Sequence, residues 1–177
     1  MTKQPHKYRD MGNDLLEEHF SNYLFNDWSF SKVNSFSRNE KSFEMSYIYN
    51  VPYRRSSTEV AGSAYHAALR AYFAMLQEGQ TLDVIELQQV AYDYISEVWG
   101  NSWKLQKTTP TVEECQKKAI TTVNSLINNF LKESDVYLSG ISEILAVEQY
   151  YDEFLTINGV DIPLPCHGKI DLIVGLS

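Results

Sequence analysis

At 177 residues the chain is long enough for one domain with a real core, and its 44% hydrophobic and 13% aromatic content excludes a disordered polymer. A formal net charge of −8 excludes a globally basic nucleic-acid-binding protein; a polyanion partner would need a local basic patch or a bound metal to offset that field. Two cysteines, Cys115 and Cys166, are too few for a disulfide framework, and no apolar run approaches the roughly 18 residues of a membrane span.

The polar stretch 1–12, with Pro5 and Gly12, reads as a flexible arm, and residues 13–177 read as a single domain. No hydrophobic segment follows Met1–His6, so the start is not read as a secretory signal, and with both thiols packed as small apolar residues the protein is expected in the cytoplasm. Five helices are expected first. Leu15, Leu16, His19, Phe20, Tyr23 and Leu24 recur at helical spacing between Asp14 and Asp27. Ser37-Arg38-Asn39-Glu40 matches a capping box for a second helix carrying Phe43, Tyr47 and Ile48 and ended by Pro52.

A third helix follows Ser56-Ser57-Thr58-Glu59 and carries Val60, Ala61, Ala64, Tyr65, Ala68, Leu69, Tyr72 and Phe73, with Gly79 as its stop. Val84 to Val98 gives a fourth, closed by Trp99-Gly100, and Thr109-Pro110 opens a fifth that runs through Leu131. Then the period changes. Residues 143–157 are rich in β-branched and aromatic side chains, Asn158-Gly159 is a hairpin turn signal, and Cys166–Val174 forms the next strand. The fold class is α+β: five helices, then the first strands of a mixed central sheet. An unfinished sheet leaves an edge open to a protein partner or a second copy.

Three polar residues lie on otherwise apolar faces. His66 stands between Tyr65 and Ala67 at the edge of a helix stripe; Glu148 falls on the strand face shared by Ile144 and Ala146; Asp171 sits in an aliphatic run that reads as buried. An ionised carboxylate is not buried without a compensating cation or donors, so Asp171 is a candidate metal ligand. A helix imidazole with strand carboxylates suits Mg²⁺ or Mn²⁺. The plain alternatives are a boundary histidine, a solvent-facing Glu148 on an edge strand, and an Asp171 paired with Lys or Arg. Arg38, Lys41, Arg54 and Arg55, interleaved with Tyr47, Tyr49 and Tyr53, are candidate contacts for phosphates and bases, the alternative being a solvated face beside a turn.

These residues also carry a family resemblance. Gly62-Ser63-Ala64-Tyr65-His66-Ala67-Ala68-Leu69 resembles the glycine-x-x-x-histidine-x-x-leucine motif of RecB-type nucleases in the PD-(D/E)XK superfamily. Gly168-Lys169-Ile170-Asp171 is similar to that family's glycine-x-isoleucine-aspartate strand, and Ala146–Tyr151 to the strand before it, over about residues 34–177. The resemblance implies an α/β restriction-endonuclease-like fold and hydrolysis of DNA phosphodiesters, RNA being open, with His66 and Asp171 as ligands of Mg²⁺ or Mn²⁺ and Glu148 as a second-metal or outer carboxylate.

Three departures accompany it. The family's acidic-x-lysine pair has no counterpart in residues 172–177, so the chain is expected to be an inactive fragment of the nuclease. Lys41-Ser42-Phe43-Glu44 lacks the cysteine of iron–sulfur relatives, so no cluster is expected, and Arg70 stands where relatives often carry an acid. A non-catalytic nuclease-like module for nucleic-acid binding or protein interaction is the competing expectation.

Overall fold

The computed structural model describes residues 6–98 and 100–176. Among them are six α-helices: α1 (Asn13–Ser21), α2 (Phe30–Arg38), α3 (Glu40–Phe43), α4 (Ser57–Gln77), α5 (Val84–Ser96) and α6 (Val112–Leu138). Strands follow: β1 (Ile141–Glu153), β2 (Thr156–Ile157), β3 (Val160–Asp161) and β4 (Cys166–Leu176). Helices precede strands, as expected, and the molecule is α+β. No helix of the described residues is long and apolar enough to cross a membrane.

The three long helices start where a side chain satisfies the first free amides. Ser56, Asp83 and Thr111 each accept from the backbone of the third helical residue, and Glu59, Glu86 and Glu114 reach back to close a capping box. Helix α6 therefore begins at Thr111 rather than at Thr109-Pro110. The expected closure of α5 by Trp99 lies outside the described residues. So do residues 1–5 of the expected arm and the side chains of Asp14 and Leu16.

The N-terminal helices differ more from expectation. Helix α1 ends at Ser21, short of Asp27. One helix was expected from Ser37, but the chain breaks at Asn39, whose extended backbone (φ −163°, ψ 99°) ends α2 while its side chain accepts from the Ser42 amide to start α3. The Ser37 hydroxyl instead donates back to the Asn34 carbonyl. Helix α2 was not expected, although Phe30, Val33 and Phe36 recur near helical spacing; Phe30 and Val33 are exposed, and Phe36 packs on Phe43. After α3 the coil widens into a π turn over Glu44–Ile48.

The chain divides into two compact units, Met1–Pro52 with Tyr150–Ile170, and Tyr53–Gln149 with Asp171–Ser177. The first is built on rings. Phe43 is buried and meets Phe25, Phe36 and Tyr47 at 5.2–5.7 Å between centroids, with Trp28 stacked at 6.2 Å. Strands β2 and β3 pair antiparallel around Asn158-Gly159, both with positive φ (52° and 79°), the twist that a two-residue hairpin requires. His6 of the expected arm is buried; its Nδ1 accepts from the Tyr8 and Arg9 amides, so Nε2 carries the proton and donates to the Leu155 carbonyl at 3.0 Å. The Lys7 amide donates to Asp161, which with the Thr156 hydroxyl holds that carboxyl below its ordinary pKa.

The second unit holds the main core. Val60, Ala61, Ala64, Ala68 and Tyr72 of α4 pack against Leu87, Ala91 and Ile95 of α5 and Cys115, Ala119, Val123 and Ile127 of α6, with Trp103 closing one end. Alanines at the seams let the helices approach closely, and the larger side chains each contribute about 1.5–3 kcal/mol of burial. Strands β1 and β4 form a two-stranded sheet. Gly175 lies so near β1 that an added Cβ would stand 2.8 Å from the Glu143 side chain.

Candidate active site

Helix α4 turns its alanine seam to the core, so Gly62, His66 and Arg70, spaced by four, share another side. His66 is thus not at a buried edge: its side chain is 64% exposed. Asp171, expected to be buried, is 59% exposed, because a sheet of only two strands leaves β4's residues half covered at most. Electrostatic cost therefore does not mark Asp171 as a ligand. The fold does bring it close to the helix imidazole: the His66 Nδ1 and Asp171 Oδ2 lie 3.8 Å apart.

Glu148 does not follow the alternation of its strand. Its φ is +54°, a left-handed conformation that costs a residue with a Cβ about 1 kcal/mol or more. Ala146, Val147 and Glu148 are consequently all half-buried in succession, where a regular strand would alternate. The Glu148 side chain is 17% exposed, not solvent-facing, and its Oε2 accepts from the Arg70 Nη1 at 3.0 Å. An arginine partner was considered for Asp171; it belongs to Glu148.

These four side chains, with Leu69, Phe73 and Leu172, line one cleft of about 210 Å³ inside the second unit. Among the described residues no group of three or more His, Cys, Asp or Glu is placed to hold a metal ion. The His66–Asp171 pair comes nearest: adjacent ligands of an octahedral ion with bonds of about 2.1 Å stand about 3 Å apart, so the two atoms, 3.8 Å apart, would have to close by somewhat less than about 1 Å to share one. Mg²⁺ suits such a sparse set, because it keeps several waters and takes substrate oxygens.

The four candidate substrate contacts divide. Arg55 is half-buried, and its Nη2 donates to Ser63 Oγ at 2.7 Å while both terminal nitrogens reach the Tyr94 hydroxyl at 3.2 Å, so it ties α4 to α5. Arg54 is exposed beside it. In the first unit, Lys41 binds Glu44 at 2.6 Å, which raises the lysine's pKa and lowers the glutamate's, and Arg38 is exposed at the end of α2. Tyr53 donates to Glu59, and with the amide and hydroxyl of Ser56 it holds that carboxyl below its ordinary pKa.

Arg70 is the site residue that sequence reading missed. Its signal was available, as it stands one helical turn beyond His66.

A family model described as the PD-(D/E)XK nuclease superfamily matches residues 27–176. The chain belongs to the PD-(D/E)XK nuclease superfamily. The matched stretch contains His66, Arg70, Glu148 and Asp171, and the α+β order of the chain is consistent with a restriction-endonuclease-like fold. PD-(D/E)XK nucleases generally use divalent metals, which agrees with the chemistry of the His66–Asp171 pair. The comparisons with curated proteins and with solved structures gave no match.

Proposed function

We propose that this PD-(D/E)XK protein is of the RecB-like kind and serves metal-dependent hydrolysis of DNA phosphodiesters, with His66 and Asp171 holding Mg²⁺ or Mn²⁺. The observation that carries the reading is the 3.8 Å approach of His66 Nδ1 to Asp171 Oδ2 within a single cleft. When bound, the ion supplies polarisation of the scissile phosphate and a lowered pKa for the attacking water. Asp171 contributes a hard anionic oxygen, and His66 a neutral nitrogen on a rigid helix. Leu69, Phe73 and Leu172 form the apolar part of the cleft's lining.

Exposed Arg54 and Arg38 are the proposed phosphate contacts; Arg55 and Lys41 are committed to other side chains. Residues 172–177 contain no acid and no lysine, so no acidic-x-lysine pair is assigned a role. We place the protein in the cytoplasm, on its free Cys115 and Cys166.

Metal binding tests the reading directly. Titration of Mn²⁺ into the chain, followed by electron paramagnetic resonance, should show a bound ion that His66→Ala weakens and Asp171→Asn removes. Identical isotherms for all three proteins would refute it. A second reading, a DNA-binding module without catalysis, draws on the Arg70–Glu148 pair, which neutralises a carboxylate of the cleft. It predicts DNA binding indifferent to Mn²⁺ and to Asp171→Asn.

A further inference from the structure

The polar groups of the cleft fall into two pairs, His66 with Asp171 at 3.8 Å and Arg70 with Glu148 at 3.0 Å. We propose that Arg70 is a positioning residue that holds Glu148 in its left-handed conformation and takes the place of a second cation, so that the cleft binds one divalent ion, on His66 and Asp171. The inference rests on the metal-site reading above and deepens it.

Three observations support it. The first is conformational. A φ of +54° inside a strand, at a residue that is neither glycine nor asparagine, persists only where its surroundings hold it. A charge-assisted bond from a guanidinium to a carboxylate only 17% exposed is a suitable restraint. The second is positional: Arg70 follows His66 by four residues on α4, so a rigid helix delivers both groups to one cleft.

The third is charge. Two carboxylates, Glu148 and Asp171, line the cleft with one guanidinium, and the guanidinium sits on Glu148, which lowers the attraction of that carboxylate for a cation. Removing Arg70 would take away the positive charge that lies 3.0 Å from the Glu148 carboxylate and leave the cleft more negative by one charge. An arginine keeps its charge throughout the accessible pH range, so this arrangement is permanent.

The experiment is Mn²⁺ titration of the chain by paramagnetic resonance, read as stoichiometry and dissociation constant. The native chain should bind one ion. Arg70→Gln, at a side chain more than half exposed, should bind Mn²⁺ more tightly by roughly tenfold, the scale expected on removing a nearby positive charge, or take up a second ion. Arg70→Lys should stay near the native values. Glu148→Gln should still bind one ion, with a loss of at most roughly tenfold; complete loss would make Glu148 itself a ligand and overturn the proposal.

Two ions on the native chain, or native stoichiometry and affinity in Arg70→Gln, would overturn it as well. The two readings fail separately. If Asp171→Asn abolishes binding while Arg70→Gln matches the native chain, only the role of Arg70 falls. If Asp171→Asn changes nothing, both fall.

Discussion

Tyr53, Ser56 and Glu59 show how single residues at a helix start connect capping to pH. The Glu59 carboxylate accepts from the Tyr53 hydroxyl and from the amide and hydroxyl of Ser56, and these donors stabilise its charged form. Its folded pKa therefore lies below the unfolded one. The stability it contributes is complete above the ordinary carboxylate range and is lost as pH falls through the folded value. Glu59→Gln should be less stable at neutral pH and should lose less stability on acidification across that window. Urea unfolding midpoints at several pH values check this, and parallel curves for the two proteins would count against it. Tyr53 moves the opposite way: the same bond raises its pKa, since the hydroxyl must keep its proton to donate.

At the scale of elements, the three long helices meet along alanines. Ala64 and Ala68 on α4, Ala91 on α5 and Ala119 on α6 are fully or almost fully buried. Ala64→Leu would force extra volume into that seam, at a cost of about 1–3 kcal/mol. The expected reading is a lower urea midpoint with an unchanged slope. A neutral result would mean that the seam contains unused space. These helices were legible because their stripes are long, their caps are Ser, Asp and Thr followed by Glu, and their apolar faces are buried. The N-terminal segment was not, because α2 is only nine residues long and the break at Asn39 arises from one backbone conformation. The hairpin at Asn158-Gly159 was legible for the opposite reason: both turn residues tolerate positive φ.

For the whole molecule, net charge sets the conditions for binding a polyanion. A formal charge of −8 repels DNA at long range, so in the proposed function local attraction comes from exposed Arg38 and Arg54 and from a divalent ion in the cleft. Fluorescence anisotropy with a short DNA duplex at about 0.1 M salt, where screening acts within about 10 Å, should show association that strengthens with Mn²⁺ in the native chain. Asp171→Asn should remove that strengthening. Equal Mn²⁺ dependence in both proteins would place the ion's effect elsewhere.

The residues of the candidate site were readable one at a time, while their relationships were not. His66, Glu148 and Asp171 stood out as polar side chains in apolar surroundings, and local periodicity was enough to assign them to a helix and two strands. Burial is a property of neighbours distant in sequence, which is why Asp171, read as buried, proved exposed, and why the choice between an apolar-face and a solvent-facing Glu148 was decided only by the fold. Pairing is likewise a tertiary result. Arg70 lies 78 residues from Glu148, and only the fold brings its guanidinium onto that carboxylate.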